Sequence, residues 1–380
     1  MTTSRGTAVV VAADSVGALA TIRSLGRAGV RVIVVHQASE ALGFRSRYAS
    51  RWVCPDPRTD EQGFVDSLVA LGERLAEPAP IFPIADTHLY AIARNFDRLA
   101  DRFLLPFPEP KRLETLRDKS VQVELAVRAG VPVPRTVDAP SDDLAYPVLV
   151  KSSDSGGFFE AFGAKALRCD SRSELEQAYE RARPFSPHIQ EWIPGPDQDL
   201  YLAGAYLNAA GEELGVVTCR KLLQVPPEMG TIRVGEAFPV PEVAELALVF
   251  LHEARCYGPS DVEFKLDRRD GTFKFIEANP RLVQWQGLAS AAGVDIALLA
   301  YRDLRGESPS PVEQHKGRRR WAITILTGSG REGPGLSGSG PVLTRPPYVD
   351  AVFALTDPWP SLVQAGKVFS GLARRVFGRR

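Results

Sequence analysis

The sequence predicts an α/β unit built on a doubly wound parallel sheet, followed by an α+β unit. Three observations carry this. Ala8 to Ala13 is a continuous apolar run, as expected of a strand buried on both faces. It leads through Asp14-Ser15-Val16-Gly17 into helical spacing at Leu19, Ile22 and Leu25, and Arg31 to His36 is the next strand. A strand, a short turn, a helix and a strand make a β-α-β unit and hence a parallel sheet. From Leu200 onward the pattern changes to successive strands joined by turns, which marks an α+β unit. A chain of 380 residues leaves room for two or three domains.

The first unit continues with a helix at Phe64 to Leu75, a strand at Pro80 to Ala85 and a helix at Thr87 to Leu99, and ends near residue 110. A dinucleotide site would need G-x-G-x-x-G at the first turn. Only Gly17 stands there, so no nicotinamide or flavin site is expected, although the helix N-terminus could take an anion such as a carboxylate. Asp86 ends a strand at the sheet's C-terminal edge, where open α/β sheets bind ligands. The simpler reading, and the favoured one, makes it the N-cap of the next helix.

Arg112 to Gly130 reads as one helix. Val131-Pro132-Val133-Pro134 must be extended, because proline removes a donor and restricts the residue before it. Tyr146 to Lys151 is a strand ending in lysine, and Ser152 to Gly163 reads as a Ser/Gly-rich loop. Such a loop can cover phosphates, with Lys151 as a point charge. A plain hairpin connection explains the same residues. The G-x-x-x-x-G-K-[ST] loop is absent from the chain. A helix at Glu174 to Arg183 and a strand at His188 to Ile193 follow. Then come strands at Leu200 to Leu207 and Leu214 to Thr218, and helices at Pro241 to Ala254 and within Ser290 to Leu304. Trp321 to Leu326 and Tyr348 to Leu355 read as strands on either side of a Gly/Ser-rich linker, Gly328 to Gly340. The end, Ser361 to Arg380, reads as an amphipathic helix closing on Arg374, Arg375, Arg379 and Arg380. Such an end can lie on acidic lipid, or dock on its own domain with cations favouring the helix C-terminus.

The richest stretch is Asp261 to Arg281. Val262, Phe264 and Leu266 alternate with Glu263, Lys265 and Asp267, the two-residue period of a half-buried strand. Asp270-Gly271 is a turn signal. The return strand is expected to place Phe273, Phe275, Glu277 and Asn279 on one face, with Glu277 opposite Glu263. Facing like charges destabilise a strand pair. A divalent cation would remove that cost, and an all-oxygen set of Glu263, Glu277 and Asn279 suits Mg²⁺. The alternative is a surface hairpin whose carboxylates point to water.

Composition removes other classes. Basic and acidic residues balance at 46 each, so nothing global points to nucleic acid or a membrane surface. No run approaches a membrane span, and no signal peptide is read at the start. Cys54, Cys169, Cys219 and Cys256 lack C-x-x-C spacing, which argues against a zinc site and fits a reducing cytoplasm. His36, His88, His188, His252 and His315 are isolated and read as surface or packing residues.

Taken in order, these parts resemble the ATP-grasp superfamily, specifically its carboxylate–amine ligases and a carboligase group that includes D-aspartate ligases. The resemblance rests on Leu25 to Val30, Asp118-Lys119, Gly130 to Pro134, Lys151, Gln190 to Gly195 and Arg220-Lys221-Leu222, and on the E-F-K hairpin, Glu277 to Arg281 and Asp357 to Pro360. It implies a pre-ATP-grasp domain over 1–112, an ATP-grasp domain over 113–306 with a lid near 120–186, and a C-terminal extension over 307–380. It also implies an ADP-forming ligase in which a carboxylate takes the γ-phosphate and an amine then displaces phosphate. By position, Lys119 and Lys151 look like phosphate or adenine-pocket lysines. Ser155, Gly156 and Gly157 fall in the loop over the triphosphate. Glu191, Trp192 and Ile193 match the adenine-reading strand, and Asp199 the ribose contact. Glu263, Glu277 and Asn279 match the Mg²⁺ ligands, with two ions expected and Mn²⁺ as a substitute, and Arg281 matches a phosphate or acyl-phosphate contact. Arg220, Lys221 and Arg233 are candidates for binding the substrate carboxylate, because guanidinium does so bidentately, and a surface role fits them equally. Trp285 and Gln286 line an acceptor pocket on one reading, and Trp285 is plain core on the other. The expected partners are a small carboxylate and an amine. A homodimer and a membrane contact stay open, as does a carboxylase acting through carboxyphosphate or a non-catalytic ATP-binding protein.

Overall fold

The computed structural model describes residues 6–107, 110–152, 155–324 and 348–366. The first unit is a parallel sheet of β1 (Thr7–Val11), β2 (Arg31–His36), β3 (Ala49–Val53), β4 (Ala79–Pro83) and β5 (Phe103–Leu104) in the order β3-β2-β1-β4-β5. Helices α1 (Val16–Arg27), α2 (Glu61–Glu73), α3 (Asp86–Arg94) and α4 (Phe96–Leu99) cover it. Val9 and Val11 pack to one side of β1, and Ala8 and Val10 to the other, which is why the strand reads as an unbroken apolar run. Ser15 caps α1 by accepting from the Ala18 N–H at 3.1 Å. Gly17 serves contact, not a cofactor. A Cβ there would lie 2.4 Å from the Val283 carbonyl oxygen, so only glycine lets α1 abut the segment that follows Arg281.

Asp118 splits the expected Arg112–Gly130 helix into α5 (Pro110–Arg117) and α6 (Lys119–Arg128). Its side chain accepts from the Ser120 N–H at 2.9 Å, so it caps α6 and turns the chain. Lys119 thereby becomes the first residue of a helix.

The second sheet is small and antiparallel. It holds β6 (Thr136–Val137), β7 (Val148–Ser152), β8 (Leu167–Cys169) and β9 (Pro187–Glu191) in the order β6-β9-β7-β8, with α7 (Ser155–Phe162) and α8 (Arg172–Ala182). The Ser/Gly-rich stretch is therefore a helix from Ser155 onward, not a loop. Phe158 and Phe162, one helical turn apart, have ring centroids 4.6 Å apart and both pack on Phe185. That aromatic contact outweighs the low helix propensity of two glycines.

The third sheet holds β10 (Leu200–Leu207), β11 (Glu213–Val225), β12 (Thr231–Ala237), β13 (Gly258–Asp267) and β14 (Thr272–Asn279), joined by β15 (Arg319–Ala322) and β16 (Tyr348–Asp350). Its order is β14-β13-β10-β11-β12-β15-β16. The helix α9 (Pro241–Glu253) packs with α6 on one face, around Phe250, Phe264 and Phe275. On the other face lie α10 (Gln286–Ala291) and α11 (Ile296–Leu304), and their core is continuous with that of α1. The first unit and the large sheet thus share one core. The expected Gly328–Gly340 linker and the basic end beyond 366 lie outside the described residues.

Candidate active site

The β13–β14 hairpin forms as the alternation requires, with Glu263 directly paired to Glu277, Asp261 to Asn279 and Phe264 to Phe275. Ile276 is an extra residue in that ladder, a β-bulge. The bulge corrects one expectation. Phe273 and Phe275 face the α9 core, whereas Glu277 faces the opposite side together with Ile276. One inserted residue flips the parity of everything after it.

Glu263 and Glu277 look into a cavity between the small sheet and the large one. Five lysines share it: Lys119, Lys151, Lys165, Lys221 and Lys265. Lys119 donates to Glu277 at 2.6 Å, and Lys221 donates to Glu263 at 2.6 Å. Lys119, above all, holds the Glu277 carboxyl far below the usual range. Glu277 in turn raises Lys119. Lys151 donates to the Gln190 amide oxygen at 2.6 Å, and burial, aided by Lys119, lowers its pKa to about 8. Lys265 donates to the carbonyls of Gly195 and Pro196 at 2.9 and 2.8 Å, pinning the turn after the small sheet. Four glutamates also line the cavity, but Glu191 and Glu228 pair with Arg269 and Arg168, so five ammonium groups are left with Glu263 and Glu277, an excess that a polyanion would neutralise.

The small sheet supplies Gln190, Glu191, Trp192 and Ile193 to the same cavity. The Glu191 carboxylate is tied to Arg269 in the β13–β14 turn and accepts from the Arg135 N–H at 3.1 Å, which fixes the strand's end. Arg168 lies 5.0 Å over the Trp192 ring. It also pairs with Glu228 at 3.6 Å, linking the small sheet to the loop after β11, where Met229 and Gly230 border the cavity.

Other expected residues fall elsewhere. Asn279 and Arg281 lie further along the same face. Asp86, the first residue of α3 and not its cap, accepts from the Arg281 guanidinium at 2.9 Å, and Asn279 takes a longer contact from it at 3.4 Å. Burial opposes the Asp86 charge, but Arg281 outweighs it and holds the carboxyl below its usual range. Asp199 is buried and bonded to Arg268 at 2.7 Å. Ser155 to Gly157 lie in the first turn of α7. Trp285 is core, its indole N–H donating to Asp261 at 3.2 Å, and Gln286 is buried beside it. Arg220 does not reach the cavity. Neighbouring side chains of a strand point to opposite faces, so Arg220 turns away from Lys221 and meets Glu236 at 2.9 Å. Arg233 sits half-buried in β12, where burial lowers its pKa.

Residues 240–308, from α9 through α11, match the family model of the carbamoyl-phosphate synthase L chain, ATP-binding domain. The chain is 21% identical over 265 residues to a D-aspartate ligase of Enterococcus faecium (strain Aus0004), covering 63% of each protein. It spans less than two thirds of the length of the curated relatives it matches. Its fold resembles the biotin carboxylase domain of Hydrogenobacter thermophilus 2-oxoglutarate carboxylase, solved with MgADP, ADP and bicarbonate. The TM-score is 0.60 at 23% identity, over 80% of this chain and 71% of that one. It also resembles an L-amino acid ligase from Bacillus licheniformis, with TM-score 0.60 at 17% identity over 80% and 75%. The chain has the ATP-grasp fold.

The lysine-rich lining of this cavity suits a polyanion such as a nucleotide's phosphates. The chemistry of the donors also fits magnesium. Glu263 and Glu277 are cross-strand neighbours, Asn279 is two residues on, and all offer oxygen. Among the described residues no three His, Cys, Asp or Glu side chains form a cluster for a metal ion. Two carboxylates and an amide suit a cation that takes its remaining oxygens from phosphate. Sequence reasoning missed Lys165, Lys265, Gln190, Gln224 and Asp261. Lys265 had a signal, because it stands two residues after Glu263 on the same strand face. Asp261 stands two before it. Burial, and then Glu263, push its carboxyl up to about 7.

Proposed function

We propose that this ATP-grasp chain is an ATP- and Mg²⁺-dependent ligase that joins a carboxylate to an amine and releases ADP and phosphate. The single observation that carries the reading is the cavity itself, with five lysines around the paired Glu263 and Glu277. Phosphoryl transfer needs positioning and neutralised charge more than a nucleophilic side chain. In this reading Gln190 to Ile193 border the adenine, and Lys119, Lys151 and Lys165 take phosphate oxygens. Glu263, Glu277 and Asn279 hold the magnesium, which shields the phosphate charge when bound. Lys119 and Lys221 leave their carboxylates for phosphate as the nucleotide enters. A substrate carboxylate oxygen attacks the γ-phosphorus and the bond to the β-phosphate oxygen breaks, giving an acyl phosphate and ADP. Arg281 lies toward the acyl phosphate, held by Asp86 from the first unit. The amine then adds to the acyl carbon, loses its proton, and expels phosphate.

A screen of carboxylate and amine pairs for ADP release, with products identified by mass, tests this. A pair giving ADP, phosphate and an amide at one to one to one supports it, and ADP release without a condensed product overturns it. The carboxylase reading draws on the bicarbonate-bound relative. ADP release that requires bicarbonate and yields a carboxylated product would select it instead.

The remaining assignments follow from smaller observations. The four cysteines are buried free thiols, which suits a reducing cytoplasm. Among the described residues no helix is long and apolar enough to cross a membrane. Phe353, Leu355, Trp359 and Leu362 are exposed ahead of the basic end, which supports contact with acidic lipid.

A further inference from the structure

A second cavity, of about 520 Å³, shares no described lining residue with the nucleotide pocket. It lies where the linker after β5, the start of β13 and the end of α11 meet. Leu105, Phe107, Leu207 and Leu304 give it an apolar lining. Arg112 of α5 and Arg255, just past α9, stand on its walls. Neither guanidinium has an ion-pair partner among the described residues. The one carboxylate on the wall, Asp303, is already engaged by the buried Tyr206 hydroxyl at 2.7 Å. Arg255 has a left-handed φ of 46°, held by its N–H on the His252 carbonyl at 3.0 Å and the Cys256 N–H on the Leu251 carbonyl at 2.9 Å. That reversal ends α9 and fixes where Arg255 leaves the backbone.

The cavity is built, not a gap between loose segments. Gly258 has φ 94°, and a Cβ there would lie 1.6 Å from the Pro106 carbonyl oxygen. The linker therefore rests directly on the first residue of β13, and glycine is required for it. An apolar lining with a few convergent polar groups, at a volume of about 300–1,000 Å³, is the usual make-up of a small-molecule site. Here the groups without an ion-pair partner among the described residues are both guanidiniums, which bind planar or tetrahedral oxyanions in forked geometry.

We infer that this cavity is a second small-molecule site, taking an acid with an apolar body: an aryl or alkyl carboxylate or phosphate ester. The inference stands apart from the ligase reading and is read without turnover. The probe is 1-anilinonaphthalene-8-sulfonate, an aryl anion, titrated by fluorescence against the full chain saturated with magnesium and a non-hydrolysable ATP analogue. Saturable binding to one site is expected. The double variant Arg112→Ala/Arg255→Ala should raise its Kd at least tenfold, and phenylacetate or phenyl phosphate should displace it. The better displacer tells carboxylate from phosphate. Ala209→Trp, at an exposed turn on the cavity rim, should block the dye with both arginines present, so loss of binding does not hang on one variant's folding. Equal dye binding by the wild type and both variants, or dye bound only when the nucleotide analogue is left out, overturns the site.

Discussion

Arg220 and Lys221 are consecutive residues of β11, and they serve opposite faces of one sheet. On the Lys221 side, lysines outnumber the carboxylates and border open volume. On the Arg220 side, Arg220, Arg318 and Arg320 all converge on the buried Glu236, with distances of 2.9, 2.6 and 2.9 Å. Arg318 also lies 4.1 Å over the Phe238 ring, and Arg220 lies 5.4 Å from it. Burial works against the Glu236 charge, and the arginines more than restore it. Both faces carry excess positive charge. They differ in what surrounds it: one leaves room for a polyanion, and the other closes its cations over a carboxylate and a ring. A cation's type and sequence neighbourhood do not separate a binding role from a structural one. The face of the strand does.

The comparison predicts unlike failures. The largest should follow Glu277→Ala on the cavity face. Magnesium-dependent ADP release should fall about 10³-fold, with the circular dichroism spectrum retained. Undiminished turnover would remove Glu277 from the proposed metal set. Next is Glu236→Gln on the far face. It leaves three guanidiniums around a neutral amide, and urea unfolding should show a loss of about 3 kcal/mol. Nucleotide affinity should stay within about twofold, because no proposed ligand lies on that face. A smaller contrast compares the neighbours themselves. Lys221→Ala should weaken nucleotide binding about tenfold by calorimetry, and Arg220→Ala by less than about twofold. Equal losses would mean that the two faces are not independent.

Much of this contrast was legible in the chain, and its limits have physical causes. The hairpin showed in strict alternation and an Asp-Gly turn, and the pairing of Glu263 with Glu277 followed from them. The parity of β14 did not, because a bulge at Ile276 is set by register with β13 and leaves no local mark. Arg220 was misplaced for a related reason. It was grouped with Lys221 by sequence neighbourhood, although a strand sends adjacent side chains apart. The helix α7 was hidden by Ser155-Gly156-Gly157, yet Phe158 and Phe162 carried its one-turn spacing. The second cavity was not legible at all. Arg112 and Arg255 are 143 positions apart and come to the same cavity only in the folded chain.

The smallest expected effect sharpens the cavity face on its own terms. Burial and Lys119 bring the Lys151 pKa down to about 8 in the nucleotide-free chain. Phosphate oxygens would favour its charged form, so the bound chain holds that proton to higher pH. Below about pH 7.5 Lys151 is protonated in both states and contributes no pH dependence. Above pH 8 binding must take up a proton, so the nucleotide Kd should rise, by about threefold to tenfold by pH 9.5. Lys151→Arg keeps its charge throughout that range and should flatten the profile while retaining most of the affinity at pH 7. The far face offers no counterpart, because its cations are arginines. A variant as pH-dependent as the wild type would assign the slope to another cavity lysine and leave Lys151 the role of a hydrogen-bond donor to Gln190.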